Sequence, residues 1–490
     1  MNREPGLLHR AVKGGVWVLS LRVAMLVLMV TRLVIVARLL SPTDLGLVGI
    51  AILTMTIIDT VTQTGFDVAL IQRKKHVEDY LDPAWTAGLL RSIAVFAILQ
   101  LVAPLASGFF NSPGAVPLIR VVSFSVLIMG LQNIGIVYFR KELQFNKQFV
   151  FEFSGRVADV LVAIIAAVIL RSVWALVVAV LAASLVRTVT SYIIHPYRPR
   201  LSFDKNKIRD LFGFGKWILG SSTIALLLSQ GDKALIGRLF GATTLGFYQI
   251  SHRISSLPAT EFSMIIQHVT IPAYSKLQEA MQKIKEAYLR VLQVTAFVAA
   301  PLAGAILLLA PDLARSFLGE KWMPAVPAMQ VLAIGGALGA IIATAGPVFV
   351  AVGKPRLATK YEFFQLCVLA VLIYPLTARW GILGAAWAVV AAALVAGVLF
   401  LRRVIRLTEC RTGSIVRLLA VPLLSSILGA FAAAGLREGI LGQSGAPFRL
   451  AVSVITFGLV YIASVHFAGR RFGYHAAGLV REVLAAVRRR

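Results

Sequence analysis

The feature that most constrains this chain is a succession of long apolar runs, each near the length that crosses a bilayer. A spanning helix needs about 20 mostly apolar residues. Runs of that kind, separated by Pro, Gly and charge, are read at 15–38, 46–66, 84–104, 117–138, 150–170, 173–194, 216–237, 246–268, 290–310, 326–350, 358–377, 381–401, 415–436 and 449–468. The runs at 46–66 and 246–268 are interrupted by Asp59 and Glu261. The apolar residues are continuous rather than alternating, which excludes a β-barrel. They also exclude a soluble enzyme. Of 490 residues, 58% are hydrophobic and 14% charged, against about 45–50% and about 25% in soluble domains. The expected fold class is an all-α integral membrane protein of about fourteen transmembrane helices.

The formal charge of +27 would suggest nucleic acid in a soluble protein. Here the basic residues sit in short clusters between the runs. Counted over alternate connections beginning with the N-terminus, 33 Lys and Arg fall on one side and 9 on the other. Lys and Arg are retained on the cytoplasmic side of short loops, so this asymmetry predicts both termini in the cytoplasm and an even number of spans. It argues against a nucleic-acid partner. The basic start lacks a small-residue cleavage site and reads as a retained first helix. Cys367 and Cys410 imply no disulfide framework, and the seven scattered histidines form no metal-ligand motif.

A shift of 200 residues exposes an internal repeat. Gly15, Trp17, Leu19, Leu26, Leu28, Arg38, Leu39, Thr43, Leu45 and Gly46 fall on Gly215, Trp217, Leu219, Leu226, Leu228, Arg238, Leu239, Thr243, Leu245 and Gly246. Both copies begin on the same side of the membrane, so the repeat is parallel. Parallel repeats pack about an axis along the membrane normal with the substrate site between the halves. The expected organisation is an N-lobe at 1–200, a C-lobe at 201–401 and two further helices at 402–468. A basic tail follows at 469–490, where Leu479, Val480, Val483, Leu484 and Val487 share one helical face. The tail reads either as an interfacial helix on anionic lipid or as an unstructured anchor.

The stretch from Ala37 to Leu47 (ARLLSPTDLGL) resembles the end of the first helix in the polysaccharide-transport family of repeat-unit flippases, within the multidrug/oligosaccharidyl-lipid/polysaccharide (MOP) superfamily. Similar pieces are Gly65 to Lys74, Phe212 to Gly215 with Trp217, Asp232 to Arg238, Leu245 to Tyr248 and Ile271 to Ser275. Their order and spacing carry the resemblance over roughly residues 10–400, with exporters of exopolysaccharides such as colanic acid and succinoglycan most alike. The resemblance implies two six-helix lobes, with helices 1, 2, 7 and 8 lining a central cavity. It implies a flippase for undecaprenyl-diphosphate-linked oligosaccharides in a bacterial inner membrane. A polysaccharide polymerase and export machinery are implied partners; no cofactor is.

Ionisable residues inside spans are costly unless they face protein or water, and they mark function by default. Arg22, Arg32 and Arg253 are the candidate substrate-binding residues. A diphosphate is strongly anionic, and arginine offers a permanently charged donor fork. Arg22 is expected to contact the diphosphate; pairing with Asp59 is the structural alternative. Asp59, Asp232 and Glu261 are the candidate coupling or gating residues. The repeat superimposes Arg32 on Asp232, which suggests a latch across the cleft; pairing of each within its own lobe is the alternative. Arg91, Arg187, Lys233 and Arg253 read as snorkelling residues, the alternative to substrate binding for Arg253, and Arg156 with Asp159 as a local i, i+3 pair. Trp17 and Trp217 are sugar-stacking candidates, or members of the interfacial belt.

No Ser/His/Asp arrangement, phosphate-cradling glycine loop or long soluble loop is present, so catalytic and metal sites are not expected. Three other readings are weighed: a multidrug/cation antiporter of the same superfamily, which calls for an acidic cavity where helix 1 is cationic; a membrane enzyme of polysaccharide assembly, which calls for a large extracytoplasmic loop that the sequence lacks; and an ion-independent lipid scramblase or assembly scaffold, which stays open.

Overall fold

The computed structural model describes residues 24–73, 76–142, 144–275, 280–354, 356–439 and 445–472, with the backbone alone at 145, 212–218, 257–269, 271–273, 275 and 469–472. The chain is a multi-pass membrane protein, and its described residues are overwhelmingly helical. Nine helices are long and apolar enough to span a bilayer, or ten when one bent pair counts as a span, among the described residues. The outward side chains suit lipid: Leu101, Leu105, Ile169, Ile193, Val371 and Phe431 are each more than 70% exposed.

Packing divides the chain into two units, one ending at Gly246 and one beginning at Phe247. In the first, helix α1 occupies 24–39 and α2 is Pro42–Val61. The apolar run begins at 46, but the helix begins four residues earlier. Ser41 Oγ accepts the Asp44 amide at 3.1 Å while Asp44 returns a bond to the Ser41 amide at 3.0 Å. Pro42 stands at the first helical position, where a missing N–H costs nothing. The helix ends at Val61, not 66, because Thr62 caps it and Gly65 turns the chain at φ 68°. A short α3 (Phe66–Gln72) and the long α4 (Glu78–Phe109) follow.

The run 117–138, expected as one helix, is broken. It forms α5 (Ala115–Val122), α6 (Phe124–Gly130) and, beyond a 71° bend, a 3-10 turn leading into α7 (Val137–Lys141). Local polar side chains compete with the helix here. Ser123 and Ser125 donate to main-chain carbonyls three residues back, and Asn133 accepts the Gly135 amide at 2.9 Å. Helices α8 (Phe145–Leu170) and α9 (Trp174–Ile194) form a hairpin turned at Arg171, whose φ is 45°. Helix α10 (Lys205–Ser275) is broken at Gly241, where φ is 75° and ψ −173°.

The second unit takes the last arm of α10 and adds α11 (Met281–Leu313), α12 (Val326–Ala343), α13 (Gly346–Ala351), α14 (Arg356–Thr408), α15 (Thr412–Gly439) and α16 (Ala446–Phe472). Gly381 (φ 59°) breaks α14. Its core joins Tyr274, Tyr288, Leu292, Phe349, Phe400 and Val404. Trp322, fully buried, packs edge-on against Phe247 with ring centres 5.9 Å apart.

Candidate functional site

The first unit holds a cluster of intramembrane charge. Arg32 on α1 donates to Asp159 on α8 at 3.3 Å, and both side chains are largely buried. This corrects two expectations. Arg32 is engaged by Asp159 and not by the repeat-related Asp232, and Asp159 serves Arg32 and not its own-helix neighbour Arg156. The reason is reach: a carboxylate on a facing helix meets the guanidinium inside the bundle, whereas an i+3 pair closes only along one helix surface. Arg156, solvent-exposed on α8, lies within electrostatic range of both Arg32 and Arg187. Arg187 on α9 packs over the Phe151 ring at 5.4 Å and against Gly155, where a side chain would collide with it. Arg140 reaches Glu152 at 3.4 Å. Four arginines from α1, α7, α8 and α9 thus stand near three carboxylates, Asp159, Glu152 and Asp67, the last within electrostatic range of Arg140, an excess of positive charge suited to an anion.

Asp59 is half-exposed at the end of α2 and is held by Arg91 at 2.5 Å. Arg91 is no snorkelling residue. Its guanidinium also donates to the carbonyls of Asp59 and Thr62, at 2.5 and 2.8 Å. These are the carbonyls that a helix C-terminus leaves without partners, so Arg91 is a cap supplied from α4. Asp232 is buried and accepts the Lys233 amide at 2.8 Å. The Lys233 ammonium folds back onto the Ser229 carbonyl at 2.5 Å. Arg253 belongs to the second unit, where the Ser256 hydroxyl donates to its carbonyl at 3.5 Å. Arg22, Trp17, the 473–490 tail and the side chains of Trp217 and Glu261 lie outside the described residues.

The connection between α9 and α10 is clasped onto α4 and the bend before α7. Tyr197 donates its hydroxyl to Asp82, which also accepts the Arg200 amide at 2.8 Å. Ser202 N–H donates to Thr86 Oγ1 at 2.9 Å, and Asn133 Nδ2 to the Tyr197 carbonyl at 2.6 Å. Burial, and then the bond to Asp82, push the Tyr197 hydroxyl well above its usual range. His195 accepts the Tyr197 amide at Nδ1 (3.2 Å) and stacks on Tyr138. Burial, with Lys147 nearby, pushes its pKa down. At the start of α10, Arg73 and Tyr80 both donate to Asp210, at 2.9 and 3.1 Å. The Arg73 bond, followed by that of Tyr80, holds this carboxyl below the usual carboxylate range.

Sequence reading missed one ionic centre entirely. Asp312, with no exposed side-chain surface, takes Arg437 at 3.0 Å on one oxygen and Arg449 at 2.6 Å on the other. In the sequence Arg437 and Arg449 stand at the edges of apolar runs, where they read as loop charges. Asp312, between Pro311 and Leu313 at the end of an apolar run, was the available signal.

Helices of this length and apolarity define a multi-pass α-helical membrane protein, whose first unit carries a cluster in which arginines outnumber carboxylates. The chain belongs to the polysaccharide biosynthesis protein family, whose model matches residues 35–327. It is 25% identical to the teichuronic acid biosynthesis protein TuaB of Bacillus subtilis over 385 residues, 78% of this chain and 80% of that one. It is 22% identical to the lipopolysaccharide biosynthesis protein WzxC of Escherichia coli, over 73% of each chain. It is 23% identical to the succinoglycan biosynthesis transport protein ExoT of Rhizobium meliloti, over 61% of each. In fold it is similar to the lipid II flippase MurJ in an inward closed conformation, with a TM-score of 0.76, 14% identity and coverage of 92% of this chain and 98% of that one. An inward-facing MATE-family multidrug transporter of the MOP superfamily follows, with a TM-score of 0.61, 16% identity and coverage of 79% and 96%.

Proposed function

We propose that the chain is a flippase that carries undecaprenyl-diphosphate-linked oligosaccharide repeat units from the cytoplasmic to the outer leaflet of a bacterial cytoplasmic membrane, by alternating access. The observation that carries this reading is the excess of arginine at Arg32, Arg140, Arg156 and Arg187 inside the first unit, in a family of polysaccharide biosynthesis proteins. A diphosphate brought into a low-dielectric site needs fixed positive charge that does not titrate, and guanidinium supplies it. An exporter of organic cations calls for the opposite excess. The protein acts as a carrier rather than an enzyme, and its chemistry is binding and release.

In this reading fourteen helices span the membrane. Helices α10 and α14 each cross twice, reversing at Gly241 and Gly381, and both termini are cytoplasmic. The lobes are 1–200 and 201–401, with 402–468 appended and 469–490 lying on anionic lipid. Arg22, Arg32 and Arg253 bind substrate, while Asp59, Asp232 and Glu261 couple or gate. Arg156, exposed and belonging to none of the described ion pairs, joins the binding set, whereas Arg32 is partly neutralised by Asp159.

The test is polysaccharide export in cells that depend on this chain. Arg22→Ala and Arg156→Ala are each expected to abolish export at normal membrane abundance, with Lys at either position rescuing poorly because a point charge lacks the fork. Export at the wild-type level in both alanine variants refutes the arginine reading. Impermeant maleimide applied to single cysteines at positions 111 and 205 tests orientation: 111 is expected to react from outside, and outside labelling of 205 refutes the topology.

A further inference from the structure

The 200-residue repeat meets itself in three dimensions. Thr43 Oγ1 and Thr243 Oγ1 are 2.8 Å apart, residues that the repeat makes equivalent. Three residues further on, Gly46 faces the Ala242 carbonyl so closely that a Cβ at Gly46 would overlap it. The reciprocal contact is also present: a Cβ at Gly246 would overlap the Pro42 carbonyl. Positions 42 and 242 are again repeat-equivalent. A contact in which i meets j, j meets i and one residue meets its own equivalent is the signature of a two-fold axis. The burial agrees, since Gly46 and Gly246 are buried while Thr43 and Thr243 are exposed at the rim. Immediately before each segment the chain leaves helical geometry, at Ser41 (ψ 160°) and at Gly241 (φ 75°, ψ −173°).

We propose that residues 42–46 and 242–246 form an uncharged seam that closes the extracytoplasmic side of the transport path and parts to release substrate. The inference rests on the flippase reading and on the topology that places residue 42 outside. The chemistry of the seam suits a contact that must open repeatedly. At the two glycines it is main chain against main chain, so few rotamers are frozen there. Its one polar cross-contact is between hydroxyls that water satisfies equally well once they separate. Asp44 is the sole ionisable residue in the two segments, and its carboxylate is spent on its own helix cap, 2.6 Å from Ser41 Oγ. Neither segment carries an ion pair that has to be broken on opening, in contrast to a latch between Arg32 and Asp232. The glycines set the closeness: any side chain at 46 or 246 holds the seam apart.

The experiment uses the full chain carrying Thr43→Cys and Thr243→Cys, with Cys367→Ser and Cys410→Ala removing the two native thiols. Oxidation is expected to cross-link most molecules, scored by mass spectrometry of the linked peptides. Adding Gly246→Leu is expected to lower the cross-linking yield at least tenfold, and Gly246→Ala to give an intermediate yield at unchanged membrane abundance. Yields indifferent to both substitutions overturn the seam whatever the protein transports. In cells lacking the native copy, cross-linking is expected to reduce polysaccharide export at least tenfold, with recovery on reduction. Continued export from fully cross-linked protein overturns the gate. A reduced protein that never supports export, yet shows the expected yields, refutes the flippase reading and leaves the seam standing.

Discussion

Asp312 offers the sharpest energetic test of the second unit. Its carboxylate has no exposed surface, and Arg437 and Arg449 are 24% and 15% exposed. One negative charge is thus shared by two positive ones. Asp312→Ala leaves two guanidinium groups side by side and unpaired, and breaking a buried ion pair in that way costs about 3–5 kcal/mol. At about 1.4 kcal/mol per factor of ten, the docking of α15 and α16 on α11 weakens by roughly a hundredfold or more. Arg449→Gln should cost roughly half as much, because it leaves Asp312 and Arg437 as a neutral pair and removes mainly charge-assisted hydrogen bonds. The assay is the thermal midpoint of the purified full chain in detergent, read by size-exclusion chromatography after heating. The expected order is wild type above Arg449→Gln above Asp312→Ala. Leucine at all three positions is expected to recover much of the loss, since apolar replacement of a buried ionic group is often neutral or better. An Asp312→Ala midpoint equal to wild type, or one above that of Arg449→Gln, refutes the reasoning.

Three further outcomes follow from the first unit. Arg91→Lys is expected to lower stability by about 1–3 kcal/mol, because one ammonium cannot serve the Asp59 and Thr62 carbonyls and the Asp59 carboxylate together; the same thermal assay checks it. Burial, with Lys147 nearby, holds the His195 pKa below the ordinary histidine value of about 6.5, so the unfolded chain binds the extra proton first as pH falls through that value. The clasp at 195–202 is therefore expected to loosen below about pH 6.5 and to tighten above it. Faster amide exchange in that segment at pH 5.5 than at pH 7.5, after correction for intrinsic rates, is the readout, and His195→Gln should abolish the difference. Exchanging the charges of Arg32 and Asp159 should restore membrane abundance lost in either single reversal, whereas exchanging Arg32 with Asp232 should not; rescue by the second exchange would restore the latch reading.

The apolar runs dictated helices in a membrane because no other backbone arrangement of such length satisfies its polar groups in hydrocarbon. Ser41, Pro42 and Asp44 carried the start of α2 in four residues of sequence, although the apolar pattern alone began it too late. The family was legible from the order of short motifs around the two repeats, and the candidate arginines stood out because charge is rare inside apolar runs. What the linear pattern did not carry was partnership. Arg32 finds Asp159 across 127 positions, and Asp312 finds Arg449 across 137. Such pairs are set by which faces of the helices meet, and helical periodicity only says which residues share a face. The bend after Gly130 likewise came from short-range hydroxyl and amide competition that apolarity does not register. The repeat showed that Thr43 and Thr243 are equivalent; only the tertiary structure brought them within hydrogen-bonding distance, because equivalence under a symmetry operation becomes contact only for residues that lie on its axis.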